Sequence, residues 1–323
     1  MGALDERLRA GERGLRQAAW AGLQDSMPRA ALLSIHARVE GTAPSAWEDP
    51  SLVQLWGPRF SAFVVAAADR GVFSLGRLPD DGKRRRIAVD LADRVEAFLD
   101  GRRLPFAEVG RGLGVPPNSL RYAAPTGRVL MRWDGARQPT IWTVSAPEDD
   151  PAEARLELAR RFLHVFGPSS PESFAAWAGI PPAGARAAFD GLAASIVPVR
   201  TPVGDGFILA ADEPVLRQEA APPASARLLP SGDAYFLLQG ADRELLVPDA
   251  ARRGDLWTTR VWPGALLVRG EIAGTWRRAG ETVTIAPWRD LGPSEREAAE
   301  AEASGLPLPD PRGPLRVRWD AVS

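Results

Sequence analysis

The stretch GVPPNSLRYA at residues 114–123 recurs in altered form as GIPPAGARAA at residues 179–188. In each copy a short apolar helical stretch comes first, a glycine ends that helix, and the first proline stands where a new helix begins. A helix, a glycine turn and a second helix form a helix-turn-helix arrangement. The repeat therefore predicts two such arrangements in one chain.

Each copy also has the same neighbours. A longer amphipathic helix is predicted before it, and β-favouring runs around a glycine-containing turn follow it, within residues 129–144 and 195–210. Three helices and a hairpin make a winged helix. We therefore predict that residues 88–145 and 152–211 are winged helices that superimpose through their Pro-Pro turns.

The first 80 residues predict a third, divergent winged helix. A helix is expected over residues 8–23, and a second from near Pro28 to Val39. Strands are expected over residues 60–66 and 71–75.

The remainder of the chain is predicted to be rich in strands. A linker with an Ala-Pro-Pro segment is expected over residues 213–223. Strands are then expected at 234–238, 265–268, 275–277, 283–285 and 315–319, with a helix at 294–303. The predicted fold class is α+β, with three tandem winged-helix modules and a β-rich C-terminal region, divided at residues 1–80, 81–150, 151–222 and 223–323.

Composition excludes several kinds of chemistry. The 323 residues include no Cys and two His, which excludes disulfide scaffolds, thiolate nucleophiles and Cys-rich zinc sites. The sequence contains no run of about 18 apolar residues and no basic patch followed by an apolar stretch at its start. A cytoplasmic protein without metal or membrane is expected.

The charge is unevenly distributed. The net charge is −1, but residues 76–145 hold 13 basic and 8 acidic side chains, whereas residues 146–226 hold 6 and 11. The run Lys83–Arg86 is the first candidate for a surface that faces an anion, and a solvated linker is the alternative. Arginine forms a planar fork of donors that suits phosphate, so the candidate contacts to a nucleic acid are Arg84, Arg85, Arg86, Arg121, Arg128 and Arg132.

Common catalytic motifs are missing. Lys83 follows Gly82 but lacks the glycine and hydroxyl residue of a P-loop, and no Gly-x-Ser-x-Gly elbow occurs. Neither His36 nor His164 has a metal-ligating partner at helical spacing, and packing or capping is the favoured role of each.

The segment GLQDSMPRAA at residues 22–31 resembles the opening motif of the AlkZ-like, winged-helix DNA glycosylases, which excise alkylated or crosslinked purines. Residues 158–168 and 173–179 resemble the last winged helix of that family, and residues 228–235 and 274–278 resemble its C-terminal part. The resemblance implies three tandem winged helices, a β-rich C-terminal region and a concave basic surface for duplex DNA.

The resemblance also implies a catalytic motif of Gln, an apolar or small residue, and then Gln or Asp. Gln24 matches its first position, Ser26 replaces its last, and Asp25 lies between them. A Gln side chain can orient a water molecule but cannot accept its proton, whereas Asp can do both. The alternative is that Ser26 caps a helix starting near Pro28, with Asp25 favouring the same helix end. In the nearby segment 56–60, Arg59 is a candidate phosphate contact, and core packing is the alternative for its aromatic neighbours.

Two main hypotheses follow. The first is a monofunctional DNA glycosylase that acts on duplex DNA as a monomer, with neither metal nor nucleotide cofactor. The single Lys, Lys83, lies in an Arg run, which disfavours Schiff-base chemistry. The second is a non-catalytic winged-helix DNA-binding protein, which the Ser at position 26 favours. A scaffold for protein contacts is a third possibility.

Overall fold

The computed structural model describes residues 4, 6–135, 137–218, 224–238, 240–308 and 313–322. The chain divides into two compact units. The first unit comprises Met1–Ala18, Arg29–Asp49 and Arg217–Ser323, and the second unit comprises Ala19–Pro28 and Pro50–Leu216.

The chain is a mixed α+β protein. Its α-helices are α1 (Glu12–Ala18), α2 (Ala30–Arg38), α3 (Arg70–Leu75), α4 (Gly82–Leu99), α5 (Phe106–Gly112), α6 (Pro151–Phe166), α7 (Pro171–Ala178), α8 (Pro182–Gly191), α9 (Glu213–Leu216), α10 (Arg243–Leu246), α11 (Ala250–Leu256) and α12 (Pro293–Ser304). Its strands are β1 (Leu23–Gln24), β2 (Leu52–Trp56), β3 (Ala62–Ala66), β4 (Leu104–Pro105), β5 (Val129–Arg132), β6 (Thr140–Thr143), β7 (Ile196–Thr201), β8 (Gly204–Leu209), β9 (Ala226–Leu229), β10 (Gly264–Val268), β11 (Glu271–Ala279), β12 (Thr282–Pro287) and β13 (Arg316–Trp319).

A three-stranded antiparallel sheet positions the candidate motif in the second unit. Its strand order is β1-β3-β2, so β3 is the central strand. All five side chains of β3 are buried, which fixes that strand in the core. The short strand β1 joins the edge of β3, with Gln24 opposite Phe63. Backbone pairing to a buried strand therefore fixes the position of Gln24.

The next segment of the second unit contains α4, α5, a 3-10 helix at Pro117–Thr126 and the hairpin β5–β6. Strand β4 completes a sheet in the order β4-β6-β5. The order of helices and hairpin is the one predicted, but the last helix is a 3-10 helix. Its Pro at the start and Pro125 inside lack the N–H donors of a regular α-helix. That this whole segment is a winged helix stays a prediction.

The third segment repeats this order with α6, α7, α8 and the hairpin β7–β8. Gly179 ends α7 with a φ of 71°, and Gly114 follows α5 with a φ of 67°. Both lie in the left-handed region that glycine adopts without strain, as expected of helix-ending residues. Pro182 then begins α8. Neither Pro-Pro step lies in a strand.

Three local predictions are wrong. The helix expected over residues 8–23 is limited to α1, because Leu23 and Gln24 pair with β3 instead. Residues 71–75, expected as a strand, form most of α3. All five are buried, and a short apolar run does not distinguish a buried helix from a buried strand. Ala234–Phe236 forms a 3-10 helix rather than the start of a strand, because the Asp233 side chain accepts a hydrogen bond from the Tyr235 N–H.

The compact units do not follow the predicted four-part division. Helix α2 belongs to the first unit, whereas the flanking residues 19–28 and 50–80 belong to the second. Residues 1–80 therefore do not form one module by themselves. The predicted linker at residues 213–223 includes α9, and its residues 219–223 lie outside the described residues.

The first unit is built on a five-stranded sheet in the order β13-β12-β11-β10-β9. The pairing is antiparallel except between β12 and β13, which are parallel. Its core includes Leu228, Leu266, Val283 and Ile285 from the sheet, together with Ala299 from α12.

A buried ion pair joins α2 to the segment after β9. Arg38 donates to both carboxylate oxygens of Asp233 at 2.7 Å, and the Ser34 hydroxyl donates to one of them at 2.6 Å. The Asp233 side chain is fully buried. Burial alone would raise the pKa of this carboxyl, but Arg38 and the hydrogen bonds outweigh it, and the net pKa is lowered.

We expect Asp233→Ala to lower the free energy of unfolding by about 3–5 kcal/mol at neutral pH, because it leaves the Arg38 charge buried without this partner. A carboxyl whose pKa is lower in the folded state than in the unfolded state stabilises the protein at pH values above the unfolded-state pKa of about 3.9. That stabilisation is lost as the pH falls through the folded-state pKa. Denaturant unfolding of wild type and variant should therefore converge at acidic pH. Asp205→Ala, at a carboxylate with 80% of its side chain exposed, is the control and should change little. A difference that is the same at pH 7 and pH 3 would contradict this account.

Candidate active site

Gln24 is held in one orientation by two hydrogen bonds. The Arg59 Nη2 atom donates to Gln24 Oε1 at 2.8 Å, and Gln24 Nε2 donates to Ser26 Oγ at 2.5 Å. A guanidinium group can only donate, so the amide oxygen must face Arg59 and the amide nitrogen must face Ser26. The structure thus brings three of the predicted residues together in the chain Arg59–Gln24–Ser26.

This chain of hydrogen bonds reaches the protein surface at Ser26. Gln24 is half-buried and Ser26 is exposed. The Ser26 oxygen accepts from Gln24, which leaves the Ser26 hydroxyl proton to donate to another group. The second lone pair of Gln24 Oε1 is a further acceptor beside it. The half-buried Gln24 and the exposed Ser26 can thus both form hydrogen bonds to a bound water molecule.

Asp25 has a different environment. It is only 3% exposed, and its Oδ2 atom accepts from Gln54 Nε2 at 2.6 Å. Successive side chains along an extended backbone point to opposite faces, and here the side chain of Asp25 contacts β2 while Gln24 and Ser26 contact each other. The Asp25 carboxylate therefore contacts β2 through Gln54.

Gln54 was missed by the sequence analysis. Its Oε1 atom accepts from the backbone N–H of Trp133 at 2.5 Å, while its amide nitrogen holds Asp25. Gln54 is 3% exposed, and its neighbours Leu52, Leu55 and Trp56 are buried. A single polar residue inside an apolar strand was the available signal. Gln54 connects the motif to the end of β5.

The capping hypothesis for Ser26 and Asp25 is wrong. Helix α2 begins at Ala30, and its N-cap is Arg29, which lies in the left-handed region with a φ of 63° and makes no side-chain capping bond. The turn that contains Pro28 separates the motif from the helix. Ser26 is therefore available for the contact with Gln24.

Arg59 belongs to a strained turn between β2 and β3. Arg59 has a φ of 54° and Phe60 a φ of 55°. Residues other than glycine rarely adopt this region, and each such residue costs about 1–3 kcal/mol unless its surroundings enforce it. The turn directs Arg59 to Gln24, and it places the Phe60 ring 5.1 Å from the ring of Tyr122, which is 45% exposed.

The predicted phosphate contacts differ in how closely acidic side chains of the protein pair with them. The run Arg84–Arg86 is exposed in the first turn of α4, with Arg84 lying 3.7 Å from Asp81. Arg128 instead forms ion pairs with Asp93 and Glu96, and the hydrogen bond to Glu96 is the main cause of its raised pKa. Its charge is already compensated within the protein.

The other two predicted phosphate contacts, Arg121 and Arg132, are half-buried. The Arg121 guanidinium lies 5.4 Å from the centre of the Tyr122 ring, which places it next to the aromatic pair of Phe60 and Tyr122. Arg132 ends β5.

Both histidines have structural partners. His36 lies beside Arg7 and Glu302, and burial is the main cause of its lowered pKa. His164 Nδ1 lies 2.9 Å from the Asp212 carboxylate. Among the described residues, no three His, Asp or Glu side chains form a group that could hold a metal ion. None of the helices in the described ranges is both long and apolar enough to cross a membrane.

Comparison with known proteins decides the family. The model of the AlkZ-like DNA glycosylases matches residues 18–307, which include the motif, the strained turn and both copies of the Gly-x-Pro-Pro repeat. The chain belongs to the AlkZ-like DNA glycosylase family.

A solved structure has the same fold as this AlkZ-like chain. The Streptomyces sahachiroi DNA glycosylase AlkZ is similar with a TM-score of 0.75 at 19% sequence identity, over 98% of this chain and 96% of that chain. A search of curated proteins found no match.

The buried hydrogen bond between Gln54 and Asp25 should contribute to the stability of the protein. Gln54→Ala removes the hydrogen bond that Gln54 gives to a buried carboxylate, so we expect the free energy of unfolding to fall by about 1–3 kcal/mol. Gln138→Ala is the matched control, since Gln138 is exposed, and we expect a change within about 0.5 kcal/mol. Denaturant unfolding measures both. Equal stability of the two variants would show that Gln54 does not support Asp25.

Proposed function

We propose that this AlkZ-like protein is a DNA glycosylase that hydrolyses the N-glycosidic bond of alkylated or crosslinked purines in duplex DNA. The observation that carries the proposal is the chain Arg59–Gln24–Ser26, which fixes the amide of the family's motif residue beside an exposed hydroxyl. Family membership supports the reaction class.

The chemistry suits a site with no strong base. A purine nucleotide alkylated at N7 or N3 carries a positive charge, so it leaves as a neutral base when the C1′–N bond breaks, and it needs no protonation by the enzyme. The sugar is left as an oxocarbenium-like cation that a water molecule can attack. The enzyme must then hold water at C1′ and keep it oriented, which hydrogen bonds can do.

Each residue of the chain has a defined part in that step. Arg59 occupies one lone pair of Gln24 Oε1 and prevents the amide from rotating. The second lone pair accepts a hydrogen bond from the attacking water. As the new C1′–O bond forms, the water loses one proton. The exposed Ser26 hydroxyl relays it by accepting that proton on its second lone pair while it gives its own proton to bulk solvent.

Asp25 is assigned a supporting part. Its carboxylate is buried against Gln54, so in this proposal it holds the motif to β2 and is not the general base. The reaction is proposed to be monofunctional. A lyase step requires an amine nucleophile, and Lys83, the single lysine, lies exposed in the first turn of α4.

Duplex DNA is the proposed partner, and the run Arg84–Arg86 is its proposed electrostatic contact. Neutralising all three arginines to Gln should weaken binding to undamaged duplex DNA and reduce the slope of log K against log salt by about 0.9 for each phosphate that the variant no longer binds. Fluorescence anisotropy over a salt series measures this.

The charge-matched control is a Gln triple variant of the exposed residues Arg277, Arg278 and Arg316 in the first unit. It should retain most of the wild-type slope. Equal slopes for the two triple variants would contradict the assignment of the α4 run. If the wild-type protein shows no DNA binding at about 50 mM salt, where phosphate contacts are still strong, DNA is not the partner.

Gln24→Ala tests the catalytic proposal. We expect it to lower the single-turnover rate of base release from duplex DNA with one N7-alkylguanine by about 10²-fold or more, the lower range for a positioned acid–base group. DNA affinity should be nearly unchanged, because Gln24 is uncharged. Gln17→Ala, at an exposed position on α1, should excise at the wild-type rate.

Two outcomes would count against the proposal. If Gln24→Ala excises as fast as wild type, the chemistry lies elsewhere in the protein. If the wild-type protein binds DNA but releases no alkylated or crosslinked purine, the Ser at position 26 has ended catalysis, and the non-catalytic DNA-binding hypothesis is preferred.

A further inference from the structure

We infer that Arg77 is a positioning residue that holds the strained turn at residues 57–60, and through it holds Arg59 on Gln24. The inference rests on the proposed function for its effect on catalysis, but its structural part can be tested without activity. Arg77 does not belong to the sequence motif and was not a candidate on sequence grounds.

The Arg77 side chain connects two backbone segments inside the second unit. It is 3% exposed. Its Nη1 atom donates to the carbonyl oxygen of Trp56 at 2.9 Å, and its Nε atom donates to that of Ala178 at 2.7 Å. Trp56 is the last residue of β2, directly before the turn, and Ala178 is the last residue of α7.

The same guanidinium group also contacts the turn itself. Its central carbon lies 4.8 Å from the centre of the Phe60 ring, a cation–π geometry. Arg77 therefore contacts the backbone at the start of the turn and a side chain at its end. Arg59 and Phe60 have their positive φ values between these two contacts.

Close packing at Gly179 acts on the same turn. A Cβ atom placed on Gly179 would lie 3.3 Å from both the N and the Cα atoms of Arg59, so the end of α7 lies directly against the Arg59 backbone. Arg77 binds the carbonyl of Ala178, one residue earlier. Together these contacts explain how a conformation that costs free energy in Arg59 and Phe60 is maintained.

Burying this cation is itself costly. Burial lowers the pKa of Arg77 to about 9, and its Nη2 atom has no hydrogen-bond partner among the described residues. The buried Arg161, in contrast, pairs with the carboxylates of Asp69 and Glu157. A buried cation that bonds only to carbonyls adds little stability for its desolvation cost, but it fixes the position of the groups that it contacts.

The test compares Arg77→Gln and Arg77→Lys with Arg38→Gln as a control. Arg38 is also a largely buried arginine, with 11% of its side chain exposed, but it belongs to the first unit and binds Asp233. Its loss should therefore destabilise the protein without changing the turn. In Arg77→Gln we expect the backbone amides of Gly57, Phe60 and Ser61, which close the turn, to exchange hydrogen at least about tenfold faster than in wild type. In Arg38→Gln they should exchange at the wild-type rate. Arg77→Lys, which keeps the charge but not the fork of donors, should lie between Arg77→Gln and wild type.

A double-mutant cycle tests the connection to Arg59. We expect Arg77→Gln to lower the single-turnover excision rate by about 10-fold to 100-fold, with DNA affinity changed less than about twofold. In an Arg59→Ala background, Arg77→Gln should cause no further decrease in rate, because the side chain that it positions is already absent.

Unchanged exchange of the turn amides in Arg77→Gln would overturn the inference, and so would decreases in rate that multiply in the double variant. If the wild-type protein excises nothing, the proposed function fails and the exchange measurement alone decides the role of Arg77. If Arg77→Gln does not fold, Arg77→Lys is compared with wild type in both measurements, and equality with wild type in both would overturn the inference.

Discussion

The pairing of β1 with β3 is the constraint on which the candidate site depends. The strand β3 is buried along its whole length, and the two-residue strand β1 has its place only because Leu23 and Gln24 add to the edge of β3. The N–H of Asp25 continues this pairing to the carbonyl of Ala62 at 2.8 Å. A motif that would otherwise lie in a loop is thereby held by backbone hydrogen bonds to the core.

The turn between β2 and β3 completes the site from the other side of the same sheet. Because β3 lies between β1 and β2, the turn that joins β2 to β3 ends close to the residues that follow Gln24. The left-handed conformation of Arg59 directs its guanidinium to the amide of Gln24. Two contacts hold the strained turn in place. Arg77 lies against the Phe60 ring, and Gly179, which ends α7, lies against the backbone of Arg59. The same glycine that marks the second helix-turn-helix copy in the sequence thus also contacts the site.

Features that depend on local residue patterns, such as helix ends, could be predicted from the sequence. The Gly-x-Pro-Pro repeat predicted where two helices end and where two others begin. In the second copy α7 ends at Gly179, and α8 begins at Pro182, one residue after the proline that the pattern indicated, because glycine and proline restrict the backbone directly. Gln24 was found through the family motif. The start of α2 was misplaced, because Ser26 and Pro28 form a common N-terminal signal while the chain turns at Arg29 in a conformation that no local pattern marks.

The features that could not be predicted depend on contacts between residues far apart in sequence. Gln54 meets Asp25 across the sheet, and Arg77 meets Ala178 at the end of another helix. The polar residue within the apolar strand β2 marks Gln54 in the sequence, but its partner Asp25 and the contacts of Arg77 follow only from the three-dimensional structure. The same holds for Arg128, whose two acidic partners lie on α4 and remove it from the set of free cations.

The most direct test of the account is a crystal structure of the protein with duplex DNA that contains one alkylated guanine on a 2′-fluorinated sugar, which resists hydrolysis. If Gln24 positions the attacking water, a water molecule should lie within about 2.6–3.2 Å of Gln24 Oε1 and face C1′ of the alkylated nucleotide, with Arg59 still bonded to the same oxygen. A complex in which C1′ faces another part of the protein, or in which Arg59 leaves Gln24 to bind a phosphate, would contradict it.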